Sequence, residues 1–278
     1  MKTLKSSGSL FDSLKSGFAA VVIPLELAIA YFIYFFVLGN PANFQGGDPA
    51  NHPIEGNFLG LIYKGGYLVV PILIALLMLV LTFAFERMLT ISRAKGRGNL
   101  RRFVQKIRFL VAQGDIREAL VECDRQRGSV ANVVKAGLSK YAELAHDGDI
   151  DKEKKILMIQ KDIEETTQLE MPMLERNLVI IATIASIATL MGLLGTVFGM
   201  INAFAALATA GAPDAVGLAN GISEALINTA LGIATSALAI VFYNFFTTKI
   251  DALTYGIDEA GYSIVQNFTT QAKERAAA

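Results

Sequence analysis

Cysteine and histidine are almost absent from this chain: Cys123 stands alone, and His52 and His146 are the only histidines. A single thiol excludes an internal disulfide framework, and so few Cys and His side chains cannot build a metal site of the zinc type. Charge is scarce too, at 18% of residues against about 25% in soluble domains. It balances to zero, so no bulk attraction to nucleic acid is expected. Apolar side chains take the place of charge, at 53% of 278 residues, with 24 glycines besides. This is the composition of an integral membrane protein.

Charge is missing altogether from Asn177 to Pro213 and, but for Glu224, from Ala215 to Phe246. About 20 apolar residues cross a hydrocarbon core of about 30 Å. Four stretches come up for that test: Phe18–Leu38, Tyr67–Phe85, Leu178 to about Ala208, and about Ala215 to Phe246. The last two are long enough to tilt or to extend past the lipid. Of 25 Lys and Arg, three precede the first stretch, Lys64 alone lies between the first two, and eighteen fall from Arg87 to Arg176. The excess of basic residues on one side predicts that both termini and the central segment are cytoplasmic.

The first stretch is interrupted by Pro24 and Glu26, and its basic start gives it some likeness to a signal peptide. Its 21 residues exceed a signal core, and no small-x-small cleavage site follows. It is expected to remain as an extra transmembrane helix. The central segment, 86–177, carries eighteen basic and fifteen acidic residues, too polar for a membrane and too apolar for disorder. Its apolar spacing is helical, Gly114 interrupts it, and Asp115 followed by Glu118 reads as a capping box. After a turn at 146–149, Lys152 to Leu178 reads as one amphipathic helix running into the third span, with Pro172 as a possible kink. Thr247 to Lys273 is a second amphipathic helix beyond the fourth span.

Placed at 100° per residue, the two long spans each show a polar, small-residue arc. On the fourth it holds Glu224, Ala225, Asn228, Thr229, Gly232, Thr235 and Ser236; on the third, Ala185, Ala188, Thr189, Gly192, Gly195, Thr196, Gly199 and Asn202. Small residues at four-residue spacing are how membrane helices approach closely, so Gly192, Gly195, Gly199 and Gly232 are candidate packing positions. Packing does not account for Glu224. An acidic residue inside a span costs about 2.5–3.5 kcal/mol, and intramembrane carboxylates mark proton or ion routes. A turn near residues 211 and 212 places Gly199 level with Glu224 and Thr196 level with Ile227, bringing a carboxyl, two hydroxyls (Thr196, Thr229) and the Asn228 amide to one depth. No basic residue in either span neutralises Glu224. The bland alternative is a carboxyl that only hydrogen-bonds a neighbouring helix.

"GLLGTVFGMINAF" (192–204) followed by "GISEALINTALGIATSALAIVFYN" (221–244) resembles the signature hairpin of the ExbB/TolQ/MotA proton-channel superfamily, in its ExbB and TolQ branch. The likeness is close over the third and fourth spans and looser over Phe103 to Leu138 and 67–85. It implies an all-α polytopic membrane protein with a three-helix core in the bacterial inner membrane. The expected divisions are 1–66 (tail, extra helix and periplasmic loop), 67–85 (transmembrane helix), 86–177 (cytoplasmic helical domain), 178–246 (transmembrane hairpin) and 247–278 (cytoplasmic helix). It further implies a homopentamer around a pore that holds a dimeric ExbD-like or TolR-like partner, whose aspartate carries protons. Rotation driven by those protons would then do work on a TonB-like protein, with no cofactor or metal. On this likeness Thr196, Glu224 and Thr229 line the pore, and Asn228, bulkier than expected beside Thr229, alters its hydration. Two departures stand out: Asn228 itself and the additional N-terminal span, whose count of four is reminiscent of MotA.

Other classes fit less well. An intramembrane protease needs a nucleophile with a base, and no histidine lies in any span. A passive membrane scaffold, a TolQ-type envelope-maintenance subunit, and a motility or secretion motor stay open as alternatives.

Overall fold

The computed structural model describes residues 8–145, 150–208 and 214–277. Among them regular structure is helical, and only an isolated bridge, Phe44 to Pro53, is strand-like. Stretches within Phe18–Leu38, Val69–Ala112, Lys152–Leu207 and Ala215–Thr270 are long and apolar enough to cross a membrane. The chain is thus an all-α polytopic membrane protein, as its composition predicts. It divides into two compact units: the chain up to Ala84 with Ile180–Phe242, and Phe85–Val179 with the chain from Tyr243 onward.

The first unit contains α1 (Gly8–Phe32), which passes into a π-helical turn at Ile33–Leu38, the short α2 (Phe58–Tyr63), and most of α3 (Val69–Lys95). It also holds nearly all of α8 (Leu178–Leu207) and the first part of α9 (Ala215–Ala277). Pro24 does not end α1. Glu26, Ala30, Tyr34 and Leu38, spaced by four, are buried, while Val21, Leu25, Phe32 and Phe36 are exposed, as for a helix with lipid on its other side. Glu26, the second interruption, faces inward: its Oε1 accepts from the Thr82 hydroxyl of α3 at 2.5 Å, and its buried Oε2 has no donor among the described residues. Phe18 meets Phe83 edge-on at 5.9 Å, and Tyr34 stacks on Tyr63 at 4.7 Å. An apolar helix joined to the core by aromatic pairs and one carboxyl–hydroxyl bond follows from lipid offering no hydrophobic drive between helices.

Residues 39–66 fold into a tied loop. Asn43 donates to the carbonyls of Val37 and Leu38, Asn57 donates to Asn43, and Lys64 Nζ reaches the carbonyls of Pro49 and Ala50 at 2.9 and 3.0 Å. Asn57 also caps α2.

The second unit contains α4 (Leu100–Ala112), α5 (Ile116–Gln126), α6 (Ser129–Leu144), α7 (Lys152–Glu175) and the later part of α9. Asp115 accepts from the Glu118 N–H, one half of the expected capping box. A second break, at Arg127 and Gly128 with φ of 57° and 86°, was not anticipated from helical spacing. The expected turn at 146–149 lies outside the described residues.

One sequence expectation changes. Helix α7 does not run on to Leu178: it continues through Pro172 to Glu175, and the regular pattern breaks at Arg176 and Asn177 before α8 begins. The cause is Arg87, nearly fully buried, whose Nη1 takes the carbonyls of Met173 and Leu174 at 3.1 and 3.0 Å. Those carbonyls would otherwise accept from the N–H groups of Asn177 and Leu178. A guanidinium has donors enough to cap the helix end and hold a carboxylate as well, which it does with Glu86.

Candidate intramembrane carboxyl site

Helices α8 and α9 pack backbone to backbone. A Cβ on Gly192 would fall 3.0 Å from the Asn228 carbonyl oxygen, and one on Gly199 would fall 2.6 Å from Ala225 N and Gly221 O. Gly232 answers from α9, its missing Cβ 2.7 Å from the Ala188 carbonyl, and Gly195 lies against the Asn228 side chain. At Gly199 and Gly232 a Cβ would thus press on the backbone of the facing helix, at Gly192 it would be tight against it, and at Gly195 it would press on the Asn228 side chain. Gly199 meets α9 between Gly221 and Ala225, at the expected level of Glu224; the expected turn near residues 211 and 212 lies outside the described residues. Ser236 adds a hydroxyl bond to the Ala185 carbonyl at 2.5 Å.

Glu224 is half-buried at this contact. Asn202 of α8 donates to its Oε2 at 3.0 Å, and its Oε1 lies beside Gly66, in the turn between α2 and α3. Among the described residues Asn202 is its one hydrogen-bond donor, and no cation accompanies it. Thr196 and Thr229 are also half-buried, but each hydroxyl donates to its own helix, to Leu193 O at 2.5 Å and Ala225 O at 3.2 Å. A helical threonine finds such a carbonyl at little cost in orientation, which is why neither is turned to the carboxyl in this chain alone.

Asn228 is fully buried within the chain. Its amide donates to the Gly65 carbonyl at 2.8 Å, while its Oδ1 is buried without a donor among the described residues. It therefore ties α9 to the start of α3. Sequence reasoning placed Asn202 on the right arc without giving it a role, and overlooked Gly65 and Gly66. The only signal for the latter was a pair of glycines immediately before the second span. No group of three or more His, Cys, Asp or Glu among the described residues is placed to hold a metal ion.

Helices α8 and α9 thus meet through glycines beside a carboxyl, Glu224, that has no cation next to it among the described residues. The hairpin lies in a segment that matches the MotA/TolQ/ExbB proton channel family. That family match runs over residues 125–259 and takes in both α8 and the membrane part of α9. The resemblance carried by GLLGTV and GISEAL is thereby borne out. The chain is 31% identical over 136 residues to the Tol-Pal system protein TolQ of Pseudomonas aeruginosa, covering 46% of this chain and 59% of the relative. It is 37% identical over 86 residues to the putative biopolymer transport protein ExbB-like 3 of Synechocystis, covering 30% and 41%. With the biopolymer transport protein ExbB of Pseudomonas putida it shares 35% identity over 102 residues, covering 35% and 31%. The chain therefore matches less than two thirds of the length of these relatives. Residues 125–259 of this multi-pass membrane chain are thus similar to the MotA/TolQ/ExbB proton channel family and to proteins named TolQ and ExbB.

Proposed function

We propose that the chain is the inner-membrane stator subunit of a proton-driven motor. As a homopentamer it would surround a dimeric, aspartate-bearing ExbD-like partner and pass the resulting work to a TonB-like protein for outer-membrane transport. The observation that carries this reading is Glu224: a carboxyl inside the segment that matches the family, on a spanning helix, with one neutral donor and no cation among the described residues. Such a group gains and loses a proton as its surroundings change, which a fully paired carboxylate does not. Thr196 and Thr229 supply hydroxyls at the same level, free to turn from their own carbonyls toward a partner helix. Asn228 stands behind them as an anchor between helices. The match to a Tol-Pal system protein favours, as the second reading, a TolQ-type role in envelope maintenance with the same chemistry.

The deciding experiment replaces Glu224 with Gln, which keeps size and hydrogen bonding but cannot titrate. Growth that depends on energised outer-membrane uptake, scored with membrane level and oligomer size, is expected to fall to the level of Glu224→Ala. Full activity in Glu224→Gln would sink the titrating role and leave a scaffold. Orientation is tested separately: an impermeant thiol reagent applied from outside should modify Asp214→Cys and spare Lys152→Cys.

A further inference from the structure

The turn Gly65–Gly66 touches the carboxyl site from outside the hairpin. Gly66 takes φ +95°, and the Cβ of any other residue there would fall 2.6 Å from Glu224 Oε1 and 3.3 Å from its Cδ. Gly65 is shut in as tightly, its missing Cβ 2.6 Å from Val70 Cγ2 and 2.9 Å from Ile227 Cγ2. From α9 the Asn228 amide, one turn after Glu224, holds the Gly65 carbonyl at 2.8 Å in full burial. On the other side of the carboxyl, Asn202 donates to Oε2 at 3.0 Å. The chain entering the turn is fixed as well: Tyr34 donates to the Tyr63 carbonyl at 3.0 Å, and Lys64 is tied to Pro49 and Ala50.

We infer that the Gly65–Gly66 turn is a positioning element for Glu224, seating its carboxyl against Asn202 while Asn228 pins the turn. A glutamate side chain has several rotatable bonds, and fixing its head group needs a wall on each side. Bare glycine backbone lets that wall stand within contact distance of an oxygen. The folded loop 39–66 thereby acquires a part in the site, because the turn it ends in sets where the carboxyl sits. This rests on Glu224 being the proton-handling group.

The test compares two glycines of positive φ. Gly56, at φ +79°, has nothing within 4 Å of a built Cβ, so Gly56→Ala carries the backbone strain without the contact. Gly66→Ala carries both. Proton-motive-force-dependent growth should be kept in Gly56→Ala and fall at least tenfold in Gly66→Ala at equal membrane level and oligomer size. Adding Glu224→Asp, shorter by one methylene, to Gly66→Ala should bring activity back severalfold, although Glu224→Asp alone is impaired. Equal behaviour of the two alanine variants, or no recovery with the shorter acid, overturns the inference. If Gly66→Ala does not assemble, Asn228→Ala takes its place: carbodiimide modification of Glu224 should then run severalfold faster than in the unaltered chain, and an unchanged rate overturns the inference. Glu224→Gln is run beside them. Should it prove fully active, the proton reading fails by itself, and the seat is still judged by that modification rate.

Discussion

Two glutamates of this chain, Glu86 and Glu224, sit in opposite circumstances. Glu86 accepts four hydrogen bonds: two from Arg87 at 2.6 Å, one from Thr90 at 2.9 Å and one from Asn177 at 3.0 Å. Among the described residues Glu224 has one donor, a neutral amide, and a glycine turn against its other oxygen. A carboxylate held by a bidentate guanidinium has its charge and lone pairs spoken for, and what it does is hold a helix junction together. The proton-handling role proposed for Glu224 rests on that difference in donors.

The comparison breaks most visibly in function. Glu224→Gln should abolish proton-dependent work with the protein still assembled, whereas Glu86→Gln should lower activity only in proportion to the folded protein remaining in the membrane. Activity per folded molecule, measured for both, would overturn the distinction if the two came out alike.

Stability comes next. Arg87→Ala strands a partly buried carboxylate and uncaps the Met173 and Leu174 carbonyls, at a cost of about 3–5 kcal/mol. Thermal unfolding in detergent should show that loss, and adding Glu86→Gln should recover part of it, because the stranded charge goes with it. A smaller effect is expected at Asn228. Its replacement by Ala leaves the Gly65 carbonyl buried without a donor, worth about 1–3 kcal/mol. The same melt would read that shift, and its absence would show that the amide contributes nothing net, its own Oδ1 being unsatisfied.

The smallest effect is expected at Cys123. Burial pushes its thiol up to about 12, with Asp124 adding to the shift. A thiol so far above its usual range stays neutral and unreactive at neutral pH, so alkylation of the native protein should be negligible and should appear only on denaturation.

Much of the fold was legible because its signals are local. Long charge-free runs read as spans, apolar positions three and four apart over 103–138 read as helix interrupted at Gly114, and Asp115 before Glu118 marks a helix start. GLLGTV and GISEAL were enough to identify the proton-channel segment. The unanticipated break at Arg127 and Gly128 had a local signal as well, a glycine after a polar run, which the helical spacing on either side concealed. The end of α7 had none: Pro172 drew attention to itself, but the carbonyls that decide the break are taken by Arg87, far away in the chain.

The sequence by itself determined that this is a helical membrane protein with one isolated acid on a glycine-lined hairpin. Periodicity, span length and the absence of charge are properties of a segment and need no partner to be read. Tertiary structure alone decided what surrounds that acid. The donor is Asn202 rather than a threonine, the opposing wall is Gly66, and Asn228 is spent on Gly65. Helix periodicity gives each residue a face, but not which face of which other helix will meet it, nor that a turn preceding a different span will close the site. Those depend on helix register and on the tied loop 39–66, which become fixed only when the helices pack.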